Sequence, residues 1–187
     1  CVFAVGQYWG AVGTTLLLLA LIFLPIILIE RYGFYIPFAL RFSISLFSFE
    51  TLFLGHMQDF YNLIPHWDKF VHFQSGILFA ICGFILIHSF SYSKKIAVSP
   101  FLITLFIVTF ALSVGVVWEV CEFVGDAYFG SNWQYNNADT MWDLIADGAG
   151  GVVAGIIGYI WMIRYRLLPF SKWKIRFAPK KREDANI

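Results

Sequence analysis

Residues 137–162, NADTMWDLIADGAGGVVAGIIGYIWM, carry three acids, Asp139, Asp143 and Asp147, at four-residue spacing and then run without a charge from Gly148 to Met162. A helix rises about 1.5 Å per residue, so the uncharged part with the turn before it reaches the roughly 20 residues that cross a bilayer's hydrocarbon. At about 100° per residue, Asp143 and Asp147 lie about 40° and 80° around from Asp139, and the three form one stripe descending roughly 12 Å. A span that enters lipid along a line of carboxylates needs something positive to meet them.

The rest of the chain is of the same kind. Of its 187 residues 59% are hydrophobic and only 13% charged, with 21 phenylalanines, which excludes a water-soluble core of this size. Five spans are expected, at about 8–29, 34–57, 69–91, 98–125 and 140–163, the purest being the uncharged run from Ala11 to Ile29. The fold class is therefore all-α, a polytopic transmembrane helix bundle, with residues 1–163 as one membrane domain and 164–187 as a basic tail. The chain opens at Cys1 with no initiator Met, and the expectation is a processed or trimmed product, with six spans in the native chain if a first helix has been lost. Cys1, Cys82 and Cys121 have no metal-type spacing, and no redox role is assigned to them.

The net charge of +1 conceals an asymmetry, since eight of the thirteen Lys and Arg lie between Arg164 and Arg182. Arg31, the Lys94/Lys95 pair and this tail fall on alternate connections, whereas the loops at 58–68 and 126–139 carry no Lys or Arg. The positive-inside rule then places the C-terminus in the cytoplasm and both of those loops outside. The tail, RYRLLPFSKWKIRFAPKKR, interleaves cations with Leu, Trp, Ile and Phe, as a segment lying on an anionic leaflet does, and nucleic acid is not an expected partner. Small residues four apart in the last span, such as Gly151 and Gly155, form a face that another helix can approach closely.

Two further acidic faces reach the same outer end. Glu119, Glu122 and Asp126 in WEVCEFVGD are spaced three and four apart, and Asp68 and His72 in HWDKFVHFQSG stand one turn apart. Counting from the helix ends puts Asp126 level with Asp139, Glu122 with Asp143, and Glu119 with Asp147. Asp126 and Asp139 are candidates for an outer rim and also for ordinary helix capping, Asp139 having the look of an N-cap residue. Glu50 is a deeper candidate in the second span. His56 and His66 belong near the outer loop, and His88 falls at the cytoplasmic end.

Energetics decides how such a cluster persists. An ionised acid at mid-bilayer costs roughly 2.5–3.5 kcal/mol on insertion scales. Two carboxylates about 6 Å apart repel by roughly 3 kcal/mol at an effective dielectric of 20. Only Lys69 and His72 are nearby cations, so the acids either share protons or bind metal. Many carboxylates with one imidazole suit a divalent ion such as Mg²⁺, Mn²⁺ or Ca²⁺, with Zn²⁺ or Fe²⁺ admitted by the His. The expected ligands are His72, Glu119, Glu122, Asp143 and Asp147, and the expected catalytic groups Asp68, Glu122 and Asp143.

The leading expectation is a metal-dependent hydrolase or transferase acting on a membrane lipid or lipid-linked phosphate at the outer face. Its alternatives are a proton or cation transporter, whose path would have to continue through Arg41, Ser43, Ser45, Ser48 and Glu50, and a structural or assembly subunit with an ion site. Membrane lipids and a lipid or small-molecule substrate are the expected partners, and a homo-oligomer stays open.

WDKFVHFQSG, VVWEVCEFVGD and NNADTMWDLIADGAGGVVAG together resemble the YjdF-like family of small bacterial integral membrane proteins, over about residues 60–160. The DKxxHF stretch alone is also similar to the VanZ-like proteins. The resemblance implies a helical membrane fold, a bacterial plasma-membrane location and a grouping of Asp68, His72, Glu119, Glu122, Asp139, Asp143 and Asp147, but no reaction. Gly148 departs from the Thr or other small polar residue expected there.

Overall fold

The computed structural model describes residues 38–94, 98–131 and 133–165 together with positions 16, 19, 23 and 27; of these, 88–94 and 129 are described by backbone alone. The elements are α1 (Phe38–Ser48), a π-helix (Phe49–Met57) that continues it, a single turn α2 (Phe60–Leu63), α3 (Trp67–Lys94), α4 (Pro100–Phe129) and α5 (Asn137–Tyr165). Among the described residues there is no strand. Four helices are long and apolar enough to cross a membrane: Phe38–Met57, Trp67–Ile87, Pro100–Tyr128 and Asn137–Tyr165. They coincide with four of the five expected spans to within a few residues. The first expected span, 8–29, lies outside the described residues except for Leu16, Leu19, Phe23 and Ile27, which are helical and exposed.

Local chemistry sets the ends of the long helices. Ser99 Oγ accepts the Leu102 amide at 3.3 Å, and Pro100 follows at the first helical position, where its missing N–H costs nothing. α4 stops at Gly130, whose φ of 69° few side chains tolerate. At the start of α5 the side chain of Asn136 accepts the amides of Ala138 and Asp139 at 2.9 and 3.2 Å. Asn136 is therefore the N-cap, which corrects the reading of Asp139 as one and frees its carboxylate for other work.

α3, α4 and α5 pack on one another as a three-helix unit, and α1 with its π continuation packs on α3 but on neither α4 nor α5. Between α3 and α5 the approach is backbone to backbone. A Cβ at Gly76 would run into the Asp147 carbonyl, and one at Gly150 into the Phe73 carbonyl. Farther along, Gly158 lies under the Phe84 ring, and Gly155 faces Val108 of α4. The small-residue face of α5 is thus consumed inside the chain, as small-residue interfaces between membrane helices usually are.

Beneath the acidic end the interior is apolar, first Ala80, Ala111 and Ala154, then Phe84, Ile103, Ile107 and Met162. Large side chains such as Val117, Phe123, Ile145, Ile157 and Ile160 point outward instead, the reverse of a water-soluble protein and the arrangement lipid requires. These features make the chain a multi-pass membrane protein.

Two kinds of glycine in α3 and α5 make a contrast that can be measured. Gly76→Ala or Gly150→Ala overpacks a backbone contact and should cost about 1–3 kcal/mol. Gly148→Ala, whose Cβ would meet only Leu112 Cδ1 at 3.8 Å, should be tolerated or gain up to about 1 kcal/mol from helix propensity. Thermal denaturation in detergent, followed by circular dichroism, gives the order of the three variants.

Candidate functional site

The first turns of α3 supply Asp68, Lys69 and His72, and helical spacing sets Asp68 and His72 on one side. From α5 come Asp139, Asp143 and Asp147, and from α4 Glu119. Glycine contacts bring the helices close enough for these side chains to meet. The contact of Gly76 with the Asp147 backbone joins α3 to α5, and Gly115 leaves the space on α4 that the Asp147 side chain fills.

Lys69 is the hub of the outer layer. Its Nζ lies 3.0 Å from Asp68 Oδ2, 2.5 Å from Asp139 Oδ1 and 2.7 Å from Asp143 Oδ1. The hydrogen bond to Asp143 goes to Oδ2 at 2.9 Å, so the buried Oδ1 accepts none. Lys69, Asp68 and Asp139 are partly exposed, whereas the Asp143 side chain is 2% exposed. The layer therefore opens at the helix ends and closes downward.

His72 organises the layer beneath. Its Nδ1 lies 3.1 Å from Asp147 Oδ2. Asp147, 1% exposed, also takes the Ser75 hydroxyl on Oδ1, a group equally in reach of the His72 carbonyl at 2.8 Å. As a carboxylate Asp147 has no proton to give, so we assign the proton of this bond to Nδ1. Nε2 then looks at three carboxylate oxygens: Asp68 Oδ1 at 3.7 Å, Glu119 Oε1 at 3.8 Å and Asp143 Oδ1 at 3.9 Å.

None of these separations is a hydrogen bond. They match two ligands of one ion, because atoms each about 2.1 Å from a shared cation stand roughly 3.0–4.2 Å apart. One ligand atom each from Asp68, His72 and Asp143 falls within 4.8 Å of the others. Glu119, 5% exposed, comes within 3.8 Å of Nε2 but stands outside that group of three. Five carboxylates thus face two basic side chains, and Asp68, His72 and Asp143 converge closely enough to share an ion.

The negative field extends beyond the spans. Burial first, and then the charges of Asp68, Glu122 and Asp143, push the Tyr61 hydroxyl well above its ordinary value. Burial, then Asp68, Asp139 and Asp59, raise Tyr135 as well. Both phenols are therefore held in the neutral form that a surplus of negative charge favours.

The remaining sequence-derived candidates take other places. Glu122 accepts the Trp118 indole N–H at 2.9 Å, one turn out from Glu119, and does not join the oxygens around His72. Asp147 stands behind the imidazole instead of beside Nε2, so it orients His72 where direct ligation was expected. Asp126 folds the connection after α4, taking the Ser131 hydroxyl at 2.6 Å and the Trp133 and Gln134 amides at 2.9 and 3.0 Å. That connection is pinned further by Gln134 on Thr140 at 2.7 Å and by the Tyr135 hydroxyl on Asn62 at 3.2 Å. Glu50 lies in the π-helix with its Oε2 buried and unpaired, on an element that touches neither α4 nor α5, so it stands apart from the centre. His56 packs against Tyr61 at 5.0 Å, and His66 sits in a turn at φ 62°. The His88 side chain lies outside the described residues.

Depth matching also shifts. Asp147 lies against Gly115, so Glu119, four residues on, is level with Asp143 and not with Asp147. The difference of one turn arises because α4 runs on to Phe129, a full turn past its apolar stretch. Ser75 and Gly115 were not singled out from the sequence. A serine three residues after His72 and a glycine in mid-span were the signals for them.

Compared with known families, residues 2–164 match the one described as "Predicted membrane protein (DUF2238)". The chain belongs to this family. The DUF2238 match covers nearly the whole of the described bundle and is consistent with the YjdF-like resemblance, while the narrower likeness to VanZ-like proteins is not shown. No curated protein and no solved structure matches the chain. What is established is a DUF2238 membrane protein with a buried carboxylate and histidine cluster.

Because Asp126 serves the connection and not the cluster, Asp126→Ala should speed amide hydrogen exchange at Trp133 and Gln134. Exchange along 67–76 and 139–150 should stay as it is, and mass spectrometry resolves the two.

Proposed function

We propose that the protein is a divalent-metal-dependent hydrolase or transferase acting on a membrane lipid or lipid-linked phosphate. The observation that supports this reading is the His72 imidazole. Asp147 holds one nitrogen at 3.1 Å, while the other faces carboxylate oxygens of Asp68, Glu119 and Asp143 at 3.7–3.9 Å. A carboxylate behind a metal-binding imidazole is the common outer-shell arrangement, fixing the tautomer and the ring angle. Asp68, His72 and Asp143 would hold the ion, with Glu119 beside it, and the mixture of oxygens with one nitrogen fits Mn²⁺, Mg²⁺, Ca²⁺ or Zn²⁺.

A bound divalent ion supplies Lewis acidity toward a phosphoryl oxygen and toward water. The chain's own residues supply the rest. Glu122, half-buried and tied through one oxygen to Trp118, is the carboxylate left over for accepting a proton. Lys69 is saturated by three carboxylates and is not free to grip phosphate. Exposed Trp118, Val117, Trp142 and Ile145 beside the opening suit a substrate that stays in the leaflet. The absence of Lys and Arg from the 126–139 connection, set against the basic tail, argues that this opening is on the outer face of a bacterial plasma membrane.

Transport is the weaker reading. Beneath Asp147 and Ser75 the buried clusters consist of Ala, Phe, Ile and Met, which give a proton or cation nowhere to go. The polar line from Arg41 to Glu50 lies on α1, away from α4 and α5.

Purified protein should carry about one equivalent of divalent metal. His72→Ala and Glu119→Gln should lose it, and Asp147→Asn should weaken it by roughly 10–100-fold. With the ion bound, release of phosphate from a lipid phosphate in mixed micelles should stop with EDTA and return with Mn²⁺ or Mg²⁺. Metal present without turnover would leave a structural ion site. No metal in any of the proteins would sink the proposal.

A further inference from the structure

Lys69 occupies a position that basic side chains seldom take. Four carboxylate oxygens of three acids lie 2.5–3.0 Å from its Nζ. Two of those acids are shared. Asp68 gives Oδ2 to Lys69 and turns Oδ1 toward His72 Nε2 at 3.7 Å, and Asp143 gives both oxygens to Lys69 while its Oδ1 also faces Nε2 at 3.9 Å. Asp139 meets Lys69 alone among the cluster's basic groups. Two carboxylates therefore bridge two positive positions, each with an outer ligand of its own: Asp139 on one side, His72 with Glu119 on the other.

That is how bridging carboxylates hold paired ions in two-metal sites, whose ions stand roughly 3.5–4 Å apart. An ammonium is a compact unit charge with three donors, and here three acids take up all of them. The buried Glu119 carboxylate, 3.8 Å from His72 Nε2, faces the other position.

We infer that Lys69 is a tethered second cation, seated where a second metal ion would lie, so that the centre takes a single divalent ion and removal of the ammonium opens a second site formed by Asp68, Asp139 and Asp143. The inference rests on the metal reading proposed above and adds the nuclearity of that centre. It also assigns Asp139 a role: this acid belongs to the Lys69 position and not to the ion at His72.

Equilibrium Mn²⁺ titration of the detergent-purified full chain tests it, with electron paramagnetic resonance as the second measurement. The wild type should saturate at one Mn²⁺ per chain and show an uncoupled signal even at excess metal. Lys69→Ala should saturate at two with an exchange-coupled signal, Lys69→Arg at one, and Lys69→Ala/Asp139→Asn at one again. A wild type that binds two coupled ions would overturn the inference, since the ammonium would then have been displaced. So would a folded Lys69→Ala that binds only one, or a double variant that still binds two. If Lys69→Ala does not fold, the wild-type stoichiometry and spectrum still decide. A wild type that binds no Mn²⁺ refutes the metal reading itself, a different result from one bound ion with no second site in the variant.

Discussion

The backbones of α3 and α5 touch where Gly76 meets the Asp147 carbonyl and Gly150 meets that of Phe73, and nearly everything at the acidic end follows from that contact. With side chains at those points the helices would stand farther apart, and neither Lys69 nor His72 could reach the α5 acids at 2.5–3.1 Å. Packing between membrane helices has no hydrophobic drive, because lipid is as apolar as the helices, so close approach of small residues supplies the attraction. Here that approach also serves electrostatics. It lets an ammonium and an imidazole partner carboxylates that would be costly to bury alone.

Charge and packing divide the bundle along its length. At one end sit the acids, Lys69 and His72; below them the buried clusters hold only alanines and large apolar side chains. Asp143 and Asp147 lie at the boundary, 2% and 1% exposed, and there every lone pair without a donor is expensive. Asp147 meets that cost with Ser75 and His72. Asp143 meets it with Lys69, and Glu119 faces the His72 imidazole at 3.8 Å.

Much of this could be read in the residues themselves. Hydropathy found the four described spans because length and apolarity decide membrane insertion one helix at a time. The stripe Asp139, Asp143, Asp147 and the pair Asp68 and His72 followed from helical periodicity, a local rule that tertiary contacts do not alter. What escaped was relational. Whether Glu119 stands level with Asp143 or Asp147 depends on how α4 is set against α5, which no single helix encodes. Asp126 looked like a member of the acidic face, and only the fold of the following connection shows its oxygens already spent on Ser131, Trp133 and Gln134. Asn136 took the cap expected of Asp139, since a one-residue change in where a helix begins reassigns its first turn. Lys69 was visible as a nearby cation, but its place among three acids of two helices was not.

The apolar floor under Asp147 and Ser75 makes the acidic well a blind alley. If the proposed cation sits in it, that cation would arrive and depart through the same mouth, and its loading would follow the concentration on one side of the bilayer. Occupancy would then report the ionic makeup of a single compartment, and a voltage applied across the membrane would act on the bound charge only through the short depth between the mouth and the floor.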